Sequence, residues 1–416
     1  MRRWGAWGLG LAAVVVVVVV LIATGVIPLG AHTTPAAGLA SCVAGVSIRN
    51  ETTLLGTTFR PGGVQTFGAN QTSVLLGGTG VYVKPTGFTL PMLASLQGNP
   101  PTGPALNLTA ETNPYFQLGG NYAEAWNGTA WLLGGQWSTT NDVSYPTLVS
   151  WKDGVFTNLS GLVESYFVQN WSPAQVPAPD GGVWVAAWNG TAWRLAGNGT
   201  RGATLLSMQG DTVTDLTPRL AHPAGESWIQ LLQWNGTTWL IGGYQVLETY
   251  SHGVFTNLLP SSPFARSGAL GADWNGTSWL IGGGLPPALA TLRDGVLRPG
   301  PSLPATFDGG WVGQVDALNA SDWAPGCTGW LLAGQGLTSE DLDVPALAIW
   351  LPAYSANTTN LSYELPSSFT QGQVNYAAWA PPFGPHSMLL AGQAFYDPIT
   401  GTSVGALAQL TLGPPT

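Results

Sequence analysis

The chain has 416 residues, of which 45% are hydrophobic and only 8% charged, with a formal net charge of −9. So few cations, and no basic run, exclude nucleic acid as a partner, because phosphate binding needs Lys and Arg to neutralise it. The 57 Gly and 32 Pro argue for many short elements joined by turns, while 20 Trp, 12 Phe and 11 Tyr supply apolar surface for a core.

The N-terminus reads MRRWGAWGLG LAAVVVVVVV LIATGVIPLG. Two Arg precede an uncharged stretch over residues 6–29, about 36 Å long as a helix and enough to span a bilayer. The expected organisation is a cytoplasmic tip at 1–5, a transmembrane signal-anchor at 6–29, a short stalk at 30–43 and an external domain at 44–416. A cleaved signal peptide with its apolar centre over residues 11–22 is the rival reading, and would make the domain secreted. The membrane, contacted through this helix, is thus the expected first partner. LASC at 39–42 looks like a lipobox but lies far beyond the apolar centre.

Four decapeptides recur: WNGTAWLLGG from 126, WNGTAWRLAG from 188, WNGTTWLIGG from 234 and WNGTSWLIGG from 274. Each has an apolar run, Asn-Gly, then a second apolar run, which predicts a hairpin closed by a two-residue type I′ turn. Weaker copies run from 69, 326 and 384. The closing glycines Gly78, Gly135, Gly197, Gly243, Gly283, Gly334 and Gly392 mark seven units. Between them lies a second hairpin pattern, as in TLVSWKDGVFTNLS and LETYSHGVFTNLL. Four strands per unit, seven times over, predicts an all-β fold: a seven-bladed β-propeller of four-stranded antiparallel blades. A β-solenoid is the competing repeat architecture. Small Gly-Gly pairs would let strands approach near a central channel. A strand beginning near residue 44 could complete the last blade, bringing Cys42 within reach of Cys327 in a disulfide.

The Gly pairs Gly134-Gly135, Gly242-Gly243 and Gly282-Gly283, with later aromatics such as Tyr145 and Trp151, resemble the kelch-type and galactose-oxidase-like propellers. The family usually places its Tyr and Trp closer behind the Gly pair. The resemblance implies the propeller fold and often a binding surface, and no catalytic residue carries over.

Chemistry-bearing residues are sparse. The four His (His32, His222, His252, His386) are scattered, and no motif for a metal, nucleotide or other cofactor is present, so none is expected. Glu124 and Asp273 stand in first strands one or two residues before a repeated Trp, and the position of Glu124 carries Ala186, Leu232 and Ala272 in other units. They are the candidate carboxylates of a glycan hydrolase or lyase, or channel-lining groups. Tyr115, Phe116, Tyr354, Tyr363 and Tyr376 lie in or beside the two longest insertions, as candidate binding aromatics for glycan or protein. Sequons at Asn50, Asn70, Asn107, Asn158, Asn170, Asn198, Asn319, Asn357 and Asn360 are candidate glycosylation sites. Those at Asn127, Asn189, Asn235 and Asn275 belong to the repeated turn and could serve folding alone. The expectation is an extracytoplasmic, noncatalytic module binding glycan, an envelope component or a partner protein. A carboxylate hydrolase or lyase and a purely structural envelope protein are the alternatives, and the oligomeric state is open. Protease added to intact cells should digest the large domain; protection would contradict this topology.

Overall fold

A computed structural model describes residues 42–412, except 44, 60–61, 84–87, 102, 140–142, 171–180, 200–201, 222–224, 226, 320–326, 341, 370–371, 385 and 398–401. The anchor, His32, His222 and Glu226 lie outside the described residues. Among those described, no helix is long and apolar enough to cross a membrane.

Seven antiparallel sheets follow one another along the chain. Blade 4 is typical, with strands Trp228–Trp234, Trp239–Tyr244, Val246–Ser251 and Val254–Asn257 paired in sequence order. The inner strands of blades 1 to 7 are Gly63–Ala69, Gly119–Trp126, Gly182–Trp188, Trp228–Trp234, Ala269–Trp274, Trp311–Leu318 and Gln373–Trp379. Each inner strand touches the next, and the seventh touches the first, so the ring closes. The outer strand of blade 7 is N-terminal: Val46–Asn50 pairs with Thr402–Leu412, Val46 opposite Leu412 and Asn50 opposite Ala408. Cys42 is bonded to Cys327 of blade 6, with Cα atoms 5.8 Å apart across 285 residues of chain. Both cysteines are buried in the apolar layer between blades 6 and 7, with Leu331, Leu347, Leu390 and Leu410.

Apolar layers between neighbouring blades make up the core. Between blades 3 and 4, for example, Ala196, Leu205 and Leu216 meet Ile229, Leu232 and Ile241. Each fully buried Leu or Ile contributes about 2 kcal/mol. Two sided burial of this kind explains why the second strands read as apolar runs rather than as alternating patterns.

The closing glycines have a specific role. Each inner strand carries a one-residue bulge, and each closing glycine pairs with the residue just before it: Val64 with Gly78, Asn121 with Gly135, Val183 with Gly197, Ile229 with Gly243, Ala269 with Gly283, Val312 with Gly334, Val374 with Gly392. The carbonyl of the residue two before each bulge residue lies against the glycine. A Cβ on any of the seven would fall well inside contact distance of that oxygen, such as Trp228 O against Gly243. Only glycine leaves the space.

The turns correct one sequence expectation. The Asn-Gly hairpins are not type I′, because Asn127, Asn189, Asn235 and Asn275 do not adopt positive φ; of each pair only the glycine does, as Gly236 at +97°. The loop has four residues, and the Asn side chain organises it. Asn235 Oδ1 accepts from the amides of Thr237 (3.0 Å) and Thr238 (2.8 Å) and from the Thr237 hydroxyl (3.2 Å). This Asx turn competes successfully with the backbone turn because a hydroxyl residue follows the glycine. Two-residue turns with both φ positive occur instead in the second hairpins, at Asp153-Gly154, His252-Gly253 and Asp294-Gly295.

Sequons also end outer strands. Asn158 Oδ1 caps the Ser160 amide (2.9 Å), while the Ser160 hydroxyl bridges the N–H and C=O of Leu148 (3.0 and 3.4 Å). Asn50, Asn107 and Asn360 cap the residue two on in the same way. With Asn70 and the four repeated turns, nine of the sequons are thus turn-forming elements. Asn198 is 3% exposed within a second strand, so its side chain is not at the surface where a glycan would attach. Asn319 and Asn357 make no such turn bond among the described contacts, and Asn170 lies in a two-residue strand.

Gly243→Ala is expected to destabilise the fold by about 3 kcal/mol or more in denaturant unfolding, because the new methyl meets backbone rather than a movable side chain. A loss under about 1 kcal/mol would contradict the packing described.

Candidate functional site: the central channel

The bulge residues are Gln65, Tyr122, Trp184, Gln230, Leu270, Gly313 and Asn375, one per blade, and all seven line a central cavity of about 630 Å³. The bulge therefore brings one extra residue per blade to the channel, a side chain in every blade but the sixth, where it is Gly313. Each sits four residues before the position of the repeated Trp, a regular offset legible in the sequence once the bulge is known. This upper chamber opens where the inner strands begin, and is completed by Gln136, Trp228, Ser267, Gly284, Leu285, Trp311, Gln373 and Tyr376.

Its walls are aromatic and amide. Among the described residues, no Asp, Glu, Lys, Arg or His lines it. Trp228 stacks on Tyr244 (centroids 4.5 Å) and meets Trp184 edge-on (6.4 Å), so both indoles are held in place. Their Nε1 atoms are buried and have no hydrogen-bond partner among the described residues. Asn375 is committed across the blade boundary, donating to Val64 O at 2.7 Å.

Toward the Asn-Gly turns lies a lower chamber of about 260 Å³. It shares Tyr122, Trp184, Gln230, Leu270, Gly313 and Tyr376 with the upper one. Three carboxylates line it: Glu124, Asp273 and Asp316. Glu124 leans against Gly77 of blade 1, another place where a Cβ would collide, and its Oε1 accepts from Asn121 Nδ2 (2.7 Å). Burial pushes its carboxyl up to about 8, partly offset by the Thr66 hydroxyl. Asp273 takes two backbone amides, Trp274 N on Oδ1 and Ala317 N on Oδ2, both at 2.8 Å. The second bond ties blade 5 to blade 6, yet burial still raises the Asp273 carboxyl. Asp316 occupies the matching position of blade 6, opposite Leu331 as Asp273 is opposite Leu280. Burial, then the nearby Asp273 charge, raise it well above the usual range.

The sequence-predicted residues thus divide. Glu124, Asp273 and Tyr376 share the channel. Burial raises the Tyr376 phenol to about 12, with the Glu124 charge adding to it. The others do not converge there. Phe116 ends the helix Thr109–Phe116 and is 1% exposed in the core between blades 1 and 2, which removes it as a binding aromatic. Tyr115 packs beside it, half-buried. Tyr354 packs against the layer between blades 6 and 7, and Tyr363 is 70% exposed on an outer turn. Asp316 and the channel aromatics Trp184, Trp228 and Trp311 were not singled out by sequence. Asp316 aligns with Asp273 only after the degenerate sixth repeat is set in register. Among the described residues no group of three or more His, Cys, Asp or Glu is arranged to hold a metal ion.

No family model and no curated protein matches the chain. Solved structures with a similar fold include the extracellular domain of a putative one component system, BT4673, from B. thetaiotaomicron. It is 13% identical, with a TM-score of 0.47 over 85% of this chain and 39% of that one. YCF48 bound to D1 peptide is 10% identical, with a TM-score of 0.48 over 88% and 95% of the two chains. The computationally designed Ika8 protein is 9% identical, with a TM-score of 0.44 over 86% and 99%. None of these likenesses bears on what this chain binds. The chain is a seven-bladed propeller by its own sheet topology.

The raised carboxyls give a signed pH dependence. Glu124 holds its proton in the fold up to about 8 but loses it near 4.5 when unfolded, so its stabilising contribution is full below 4.5 and falls as pH rises toward 8. Asp273 and Asp316 act in the same direction. Denaturant unfolding should show the wild type losing stability across this window, and Glu124→Gln recovering up to about 5 kcal/mol of it at the alkaline end. Stability that rises with pH would contradict the assignment.

Proposed function

We propose that this chain is a noncatalytic binding module, tethered outside the cytoplasmic membrane by its N-terminal segment, with its ligand seated in the upper channel chamber. One observation carries the reading: a chamber of about 630 Å³ walled by three Trp, two Tyr and several amides, with no charged group among the described residues that line it. Indole faces offer stacking area at little entropic cost, and amides read hydroxyls and peptide groups. Glycan hydroxyls or the backbone of an envelope or partner protein match that chemistry. The kelch-like likeness belongs to this proposal too, supported by the paired glycines of the second strands.

A second reading has its own support, since Glu124, Asp273 and Asp316 line one cavity. A hydrolase or lyase would use such a pair as acid and base. Asp273, however, spends both oxygens on backbone amides that hold two blades together, which favours a structural role.

Envelope fractions, glycans and peptides should be screened for binding to the full chain, and Trp228→Ala tested against any hit. At least a tenfold loss of affinity is expected, about 1.4 kcal/mol, with no consumption of ligand. Turnover of a polysaccharide that Glu124→Gln abolishes would replace this reading with the hydrolase or lyase.

A further inference from the structure

A further cavity lies away from the channel, at the Asn-Gly end of the seam between blades 1 and 2. Its volume is about 530 Å³, and it shares no lining residue with either channel chamber. That size falls in the roughly 300–1,000 Å³ range of small-molecule sites. Blade 2 supplies Trp126, Trp131 and Trp151 from adjacent strands, Trp126 opposite Trp131 and Trp131 opposite Trp151. Blade 1 supplies Gln97 and Asn99.

Blade 4 shows why this seam is open. There the matching pair, Trp239 and Tyr250, is covered from blade 3 by the Arg194 guanidinium, 5.5 and 5.7 Å from the two ring centroids. Blade 1 carries Leu75 at the position of Arg194, and Leu75 is 1% exposed, packed into the apolar layer with Leu93 and Leu133. Trp126 and Trp151 are left half-buried at the cavity.

The lining narrows the occupant. The Gln97, Asn99, Lys152 and Asp153 side chains are exposed and make no hydrogen bond or ion pair among the described residues. An amide both donates and accepts, as a sugar hydroxyl does. Lys152 and Asp153 bring opposite charges, so the lining is neutral in sum and disfavours an ionic ligand. The Trp126 and Trp131 rings are tilted by 48°, with centroids 5.2 Å apart, and form a bent apolar surface rather than a flat slot. A puckered, saturated pyranose meets such a surface with its C–H groups; a planar aromatic ligand matches it poorly. The strand residues of the lining are paired, Ser73 with Gln97 and Trp131 with Trp151, so the cavity presents side chains rather than a strand edge to which a peptide could add.

We propose that this seam is a second binding site, for a neutral oligosaccharide, with pyranose rings against Trp126 and Trp151 and hydroxyls bonded to Gln97, Asn99, Lys152 and Asp153. The site stands independently of the upper chamber and its ligand.

The full chain should be applied to an array of neutral oligosaccharides of the glucose, galactose, mannose and N-acetylglucosamine series, with adenosine and triglycine as comparison probes. A bound glycan should slow acetylation of Lys152 relative to Lys84, the only other lysine, when both are followed by mass spectrometry. Trp151→Ala should weaken that glycan roughly tenfold and Gln97→Ala about threefold, while Trp228→Ala leaves it unchanged. An array on which no neutral glycan binds overturns the proposal. So does a bound glycan that leaves Lys152 acetylation unaltered, a result on the wild type that needs no variant to fold. Binding lost in Trp228→Ala and kept in Trp151→Ala assigns the glycan to the upper chamber and removes this site. Adenosine or triglycine protecting Lys152 more strongly than any glycan overturns the saccharide assignment.

Discussion

A carbonyl oxygen set against a glycine governs this molecule. In each blade the inner strand takes one residue more than its partner, and the carbonyl two residues before the extra one occupies the space where a Cβ would stand on the second strand. The extra residue faces the axis in every blade, as Gly313 in the sixth. Register, the spacing of the seven sheets and the lining of the channel are thus consequences of one local arrangement repeated around the ring. Closure adds the remaining constraint: the strand Val46–Asn50 pairs with the chain's last strand, and Cys42 bonds to Cys327, so both ends of the propeller are bound into the layer between blades 6 and 7.

Charge scarcity has a structural counterpart inside the channel. Two ion pairs occur among the described residues, Arg49 with Glu51 and Arg293 with Asp294. Interblade polar contacts are made instead by neutral or singly charged groups: Asn375 on Val64 O, Trp379 Nε1 on Ala317 O at 3.1 Å, and Asp273 on Ala317 N. Such bonds join neighbouring inner strands near the axis, where they order the channel wall. Three buried carboxylates with raised protonation ranges fit a fold that is most stable with these groups neutral.

Blade number, strand count and closure by an N-terminal strand were legible in the sequence because glycine spacing and paired Trp residues repeat. Turn geometry was not. Asn-Gly alone points to type I′, but the following Thr or Ser gives the Asn oxygen three donors and a longer loop. The channel lining was legible only in part. Glu124 stood out as a carboxylate in an apolar register and Asp273 as a carboxylate beside a repeated Trp, whereas Trp184 and Trp228 were indistinguishable from core aromatics without knowledge of the bulge. Conversely, Phe116 looked like a rim aromatic because its insertion is long, and the insertion instead forms a helix that covers blades 1 and 2. Loop length signals a departure from the repeat; it does not say which way the aromatic faces.

The central claim is that the bulge and its glycine together build the channel wall. An X-ray structure of the full chain that resolves carbonyl oxygens tests it most directly. In each of the seven blades the carbonyl should lie against its closing glycine, with Gln65, Tyr122, Trp184, Gln230, Leu270, Gly313 and Asn375 facing one common channel. Inner strands paired without a bulge, with these residues packed between blades, would contradict it.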